Sequence, residues 1–536
     1  MRSMSVALLA LMLAMPALAA VPDPAINNRI IDAAMNHGEV MDTAQYLTDH
    51  IGGRMTNSPQ MRAAEQWTKQ RFTDFGLSNA RLEPFEFGRG WTIEGVEVRM
   101  LTPRVLPLHA IPVAWTPGTG GAISAPVIVA PLGKDSDFDK WRGKLNGKIV
   151  MVTLPGDGNE PEKPVFKRYD SADLDKMNTY DQPETDADRL AKTLKREGFN
   201  ARRDAFLAAE GAKAWVSKSY RDGGLISGEG DGYAAGDKRK LPGIQMAAED
   251  YRRLARLAKG AAPVTLEIDT KVTFHEADTR ANNVLADIPG RDPKAGFVMA
   301  GAHLDSWVGG DGAGDNAAGS AVVMEAARIL AGLGVKPKRT IRFALWSGEE
   351  QGLHGSLAWL DQHMVSRPLT TDPAFAKARY GTRWQQSWPI TPRPEFGELA
   401  AYFNLDNGSG KIRGIYAEGN PAVVPIFTSW LAPFASMGAT KVVMSRTGGT
   451  DHVYMQKVGL PGFQFIQDPL DYMTRTHHSE VDTFDHLKAD DLRQASVIMA
   501  SFLWNAANSD EPLPRPPLPT KPKESNPFDY PDDSDD

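Results

Sequence analysis

The chain of 536 residues contains no cysteine. That absence excludes disulfides, thiolate metal sites and lipid attachment through an N-terminal cysteine. Stability must therefore come from packed cores and from whatever ions bind elsewhere. Long basic runs are also missing, and Lys+Arg number 60 against Asp+Glu 67, for a formal net charge of -7. This balance argues against a nucleic-acid partner. No segment reaches the roughly 20 apolar residues that a membrane span requires.

The apolar stretch near the start is shorter. Arg2 gives a small positive end, Val6 to Met15 is apolar, Pro16 breaks the run, and Ala17-Leu18-Ala19 forms a small-residue cleavage site. Residues 1–20 therefore read as an export signal, which predicts a periplasmic or secreted protein with no membrane contact after cleavage.

At this length two folded domains plus tails are expected. Residues 21 to 78 read as mostly helical. Met61 to Phe75 carries apolar residues at helical intervals, and Gly76 closes it. The middle of the chain has short β-rich runs, such as Ala125 to Ala130 and Lys148 to Leu154, broken by charged, turn-rich stretches. It reads as an inserted β-rich module over 101–275. From Asn282 onward, compact apolar runs alternate with helical patterns: Phe297 to Ala302, Thr340 to Trp346, Leu399 to Leu405 and Gly462 to Ile466. Such runs belong to strands buried on both faces. The expected class is α/β, with a mostly parallel central sheet built from 21–100 and 276–508. The tail from 509 to 536 is rich in proline and then acidic, and it reads as disordered or polyproline.

Acids and histidines fall just after each of those four runs. The first is followed by G-A-H-L-D-S-W, with His303 and Asp305, and then by G-A-G-D-N-A-A-G-S, with Asp315 just before a helix. The second leads into W-S-G-E-E-Q-G-L-H-G-S, with Glu349 and Glu350. The third gives N-L-D-N-G-S-G, with Asp406. The fourth leads on to R-T-H-H-S-E-V-D-T, with His477, His478 and Asp482. Each motif is weak by itself, because an acid before a helix is usually a cap. Four successive strand ends of one sheet, however, converge in space. Carboxylates gathered there repel one another unless cations neutralise them. Imidazole and carboxylate without thiolate suit zinc best, with cobalt or manganese as alternatives.

The order H-L-D, G-D-N, E-E, D and H-x-x-x-D resembles metallopeptidase family 28, a group of co-catalytic zinc exopeptidases that includes bacterial secreted aminopeptidases and carboxypeptidase Q. The stretches G-G-T-D-H-V (448–453) and L-P-G-F-Q-F-I-Q-D-P-L-D-Y (460–472) resemble its carboxypeptidase Q-like members. The resemblance runs from about Ile26 to Asn505 and takes in the middle module, which resembles a protease-associated (PA) domain.

It implies a zinc peptidase with two zinc ions per chain. His303 and Asp406 would bind one, Glu350 and His478 the other, and Asp315 would bridge them. His477 is then the neighbour of a ligand. The Asp315–Asn316 peptide would be cis. Asp305 would orient His303, and Asp482 would orient His478. A water between ions about 3.5–4 Å apart becomes acidic, and Glu349 would act as its general base. His452, or as the alternative Tyr472, would steady the oxyanion. Asp451 would hold its loop or meet a substrate amine.

The substrate implied is a small peptide with a free N-terminus, cut by an aminopeptidase or dipeptidase. A carboxypeptidase acting on dipeptides and a glutaminyl cyclase-like single-zinc enzyme share the framework. A receptor-like relative should have lost ligands or base, and all six positions are present. The stretch from Ser366 to Glu395 reads as a specificity lid. A homodimer is compatible with the sequence. His37, His50, His109, His275, His354, His363 and His486 lie outside the motif and read as surface or core.

Overall fold

The computed structural model describes residues 22–158, 163–180, 187–334, 336–376 and 378–521. The signal-like segment 1–20 and the acidic end of the tail lie outside the described residues.

Two eight-stranded sheets organise the chain. At the centre of the first, Thr340–Trp346, Phe297–His303, Leu399–Asn404 and Gly462–Gln467 lie side by side and parallel. Antiparallel strands flank them, Ser78–Glu86 and Arg280–Ile288 on one side and Ile412–Tyr416 on the other. The parallel centre explains the unbroken apolar runs. Along Phe297–His303, Val298, Ala300 and Ala302 join a core under the helices Pro24–His37, Ala318–Gly332 and Ala489–Asn508. Phe297 and Met299 join a second core beneath His354–His363 and His452–Gln456. With both faces covered, no position of the strand tolerates a polar side chain until the chain leaves the sheet.

The local signals act as chemistry requires. Ser58 caps the helix Pro59–Asp74, its hydroxyl accepting from the Met61 amide at 3.1 Å, and Gly76 ends that segment with φ of 83°. Gly301 sits where a Cβ would come within 2.4 Å of the Tyr402 hydroxyl and 2.6 Å of Trp346 Nε1. Only glycine leaves room for Trp346 Nε1 to donate to Tyr402 (2.7 Å) and for Tyr402 to donate to Asn404 (2.6 Å), a buried chain beneath the strand ends.

The second sheet has cores of its own, one roofed by Ala248–Leu257 and the other by Phe199–Ala209. It begins at Gly90, not at 101. Gly90–Thr102 pairs along its length with Thr265–His275, so the entering and leaving strands of the inserted unit zip together. The composition of 90–100 carries no mark of this, because partner choice is non-local.

The tail also departs from expectation over its described part. Leu513 is buried, its amide donating to Ala400 O at 3.1 Å, and Arg515 donates to Leu399 O at 2.8 Å and Phe396 O at 3.0 Å. Prolines keep the segment extended, and these bonds lay it along the first sheet's unit. Among the described residues no helix is long and apolar enough to cross a membrane.

Candidate active site

The four parallel strands end at one place. His303 is the last residue of its strand. Its Nδ1 is 2.9 Å from the Asp305 carbonyl oxygen, and its Nε2 is 3.2 Å from both Asp315 Oδ1 and Asp406 Oδ1. Because the backbone carbonyl accepts the Nδ1 proton, the Nε2 lone pair faces the two carboxylates. Asp315 follows in an irregular turn, Ala313–Ala317, with a cis Asp315–Asn316 peptide as expected. Asn316 ties this turn to its neighbours by donating to Leu405 O and accepting from the Gly319 amide, each at 2.9 Å.

On the other side of Asp315, His478 Nε2 lies 3.0 Å from Glu350 Oε2 and 3.4 Å from Asp315 Oδ2. Asp315 therefore faces both groups with separate oxygens. His477 Nε2 is 4.0 Å from Asp315 Oδ2, and its ring stacks on that of His478. Two groups of side chains lie close enough together to hold a metal ion: His303, Asp315 and Asp406, and Asp315 with His477 and His478.

The electrostatics agree with a cation site. Burial raises Glu349 well above the ordinary carboxyl range, and Asp406, Asp451 and Glu350 add to it. Burial and Asp315 likewise push Glu350 up to about 8. Burial disfavours charge on His478, but Glu350, Glu229 and Asp315 outweigh it and raise the ring to about 12. Asp315 Oδ2 and Glu350 Oε1 are buried with no hydrogen-bond donor. Buried acceptors of this kind cost free energy unless a cation meets them. The donor set therefore fits divalent zinc.

Supporting side chains differ in part from the sequence expectation. Asp305 reaches His303 through its backbone carbonyl, while its carboxylate accepts from Thr56 Oγ1 (2.9 Å) and from the Glu349 (3.2 Å) and Glu350 (3.3 Å) amides. It thus braces the E-E loop. Asp482 does not orient His478. It accepts from the Gly314 (2.7 Å) and Asp315 (2.9 Å) amides and so fixes the bridging turn. The reason is geometric: His478 has φ of 57°, which turns the chain back so that residue 482 comes under residue 314. His478 Nδ1 instead lies 3.1 Å from Glu229 Oε1, in the inserted unit.

Arg54, fully buried, donates to Leu304, Gly312 and Asp311 carbonyls and holds the loop between His303 and Asp315. Nothing in the sequence near Arg54, Thr56 or Glu229 marks them, since each acts across more than 200 residues of chain.

A cleft of about 470 Å³ opens on the site, lined by Glu349, Glu350, Asp315, Asp406, His477, His478, Tyr472 and Met473. Tyr472 stands in its wall. His452 is fully buried, with Nε2 3.2 Å from Glu418, and does not line the cleft. The Ser366 to Glu395 stretch does not line it either. It packs on the inserted unit, where the Arg379 amide and the Thr382 hydroxyl donate to Glu197 at 2.8 and 2.7 Å.

Residues 283–503, which contain every one of the proposed zinc ligands and the base, match peptidase family M28. The chain carries an M28 peptidase domain. Human carboxypeptidase Q is 25% identical over 469 residues, covering 88% of this chain and 85% of that protein. Leupeptin-inactivating enzyme 1 of Streptomyces exfoliatus is 27% identical over 213 residues, 39% of this chain and 41% of its own length. The fold is shared with an M28 peptidase precursor from Shewanella amazonensis (TM-score 0.65, 22% identity, 93% of this chain and 99% of that one). It is shared too with a zinc aminopeptidase from Bacillus subtilis (TM-score 0.56, 18% identity, 88% and 95%). With its M28 domain, the chain is a hydrolase of the zinc metallo-exopeptidase class.

Proposed function

We propose that this M28 enzyme is a two-zinc aminopeptidase or dipeptidase acting on small peptides with a free N-terminus. The observation that carries the two-zinc reading is Asp315, whose two oxygens face two separate ligand groups. His303, Asp406 and Asp315 would hold one ion, and Glu350, His478 and Asp315 the other. When bound, the pair of ions supplies an acidified water and polarises the scissile carbonyl.

The remaining steps fall to side chains. Glu349 lines the cleft beside Glu350 and accepts the proton of the attacking water, then delivers it to the leaving amine. Tyr472, in the cleft wall, would donate its hydroxyl proton to the oxyanion. Among the described residues, none of those lining the cleft is Lys or Arg. A free carboxylate end would lack a cationic side-chain partner there. This favours N-terminal recognition over a carboxypeptidase. The export signal read in residues 1–20 supports action in the periplasm or the medium.

The test is hydrolysis by the purified mature chain, with metal content measured on the same sample. Amino-acid p-nitroanilides and unblocked dipeptides should be cut in a chelator-sensitive way, with about two zinc ions bound, and N-blocked dipeptides spared. Cleavage of N-blocked dipeptides would favour the carboxypeptidase. Cyclisation of an N-terminal glutaminyl peptide with one zinc would favour the cyclase.

A further inference from the structure

The two ligand histidines are oriented by different parts of the chain. His303 is fixed from within its own sheet, through the Asp305 carbonyl. His478 is fixed from outside it, through Glu229, a residue 249 positions earlier. Glu229 lies in the inserted unit, in the loop S-G-E-G-D-G-Y (227–233).

That loop is fitted at both ends. Toward the insert, the Ser227 amide donates to Gln245 Oε1 at 2.7 Å. A Cβ on Gly228 would stand 2.9 Å from Pro112 O, and one on Gly230 would stand 2.1 Å from Ala114 O. Glycine on either side of Glu229 thus lets the loop lie flush against the insert's own backbone. Toward the metal centre, Ile226 and Glu480 exchange two bonds, Ile226 N to Glu480 Oε2 at 2.7 Å and Glu480 N to Ile226 O at 3.1 Å. Arg221 of the insert donates to Arg475 O at 2.9 Å and also to His477 O. Every one of these contacts grips 475–480, the segment that carries His477 and His478. Farther along, the Tyr233 hydroxyl is 3.0 Å from His354 Nε2, on the helix that follows the E-E loop.

We propose that Glu229 is a positioning residue of the second zinc site, so that the inserted unit completes the metal centre. A carboxylate accepting from Nδ1–H fixes the tautomer that leaves Nε2 free for the ion, holds the ring plane, and increases the ligand's basicity. The inference rests on the two-zinc reading and assigns one of the two sites to insert docking.

The experiment is a zinc titration of the chelator-treated full chain by competition with a chromophoric chelator, for the wild type, Glu229→Ala and Glu229→Gln. The melting temperature of each is measured in excess chelator. The wild type should take up two ions. Glu229→Ala should bind one ion as before and the other about 10–100-fold more weakly, with the melting temperature in chelator unchanged. Glu229→Gln, whose amide oxygen still accepts from Nδ1–H, should recover most of the loss.

Unchanged affinity for both ions in Glu229→Ala, or equal weakening of both, overturns the assignment. A wild type that takes up a single ion overturns the two-zinc reading itself, and the assignment with it.

Discussion

The two halves of the proposed metal centre are built differently. Around His303, every ligand is buried and comes from the end of a central parallel strand or from the turn next to it. Its supports are backbone carbonyls, Ser320 (Oγ to His303 O, 2.7 Å) and Asn316, all of the same unit. Around His478, the ring is partly open and sits on a loop clamped by the inserted unit. The first half is held from within one unit, and the second also takes contacts from the inserted unit.

Asp315 belongs to both halves, so Asp315→Ala should have the largest effect. We expect loss of both zinc ions and of the stabilisation they confer, about 4 kcal/mol at zinc a thousand-fold above its dissociation constant. Metal analysis and thermal melting of the same sample check this, and an unaltered zinc count would remove Asp315 from the shared position.

Single-histidine variants should then separate the halves. His303→Ala leaves the buried Asp315 and Asp406 facing each other at the floor of the cleft, and a buried charge stripped of its partner costs about 3–5 kcal/mol. His478→Ala, at a half-open position, should cost less and spare the first ion. Urea unfolding in chelator, with zinc counted separately, measures both. Equal destabilisation by the two variants would erase the contrast.

The docking of the insert should be sensitive to acid. Burial holds His354, the partner of Tyr233, down to about 4, with Arg379 adding to the effect. Below pH 6.5 the unfolded chain takes up a proton that the folded chain refuses until about pH 4. Stability is therefore complete above 6.5 and falls as the pH drops through that window, by on the order of 3 kcal/mol. His354→Gln should flatten this part of a pH series of urea melts in chelator. A slope that survives the substitution would place the titrating group elsewhere.

A smaller effect is expected within the sheet-built half. Thr56→Val removes the hydroxyl bond to the Asp305 carboxylate, at a cost of about 2 kcal/mol, with both zinc ions retained. Loss of an ion in this variant would mean that Asp305 governs the ligands more directly than its contacts indicate.

The sequence showed the first half more fully than the second. Strand-end motifs are local: an apolar run followed by H-L-D or E-E carries its own position in the sheet, and parallel neighbours bring such ends together. Glu229 has no such mark. It lies among glycines and acids in a turn-rich loop, and only the fold brings that loop to His478. Asp482 was visible as part of H-x-x-x-D, but its task depends on the left-handed turn at His478, which spacing does not encode. His452 and Tyr472 flank the same region of the chain, and only burial separates them, the first sealed against Glu418 and the second in the cleft wall. The start of the inserted unit at Gly90 was hidden for a similar reason, since its strand's partner lies at 265–275.

In the proposed mechanism Glu349 moves the proton while its neighbours hold the ions. The most direct test is the Glu349→Gln variant, assayed for kcat on an unblocked substrate with zinc measured on the same preparation. Two bound zinc ions with kcat reduced by about 10³-fold or more is the expected result. A near-normal rate in a fully loaded variant would contradict the claim and assign the base to another group.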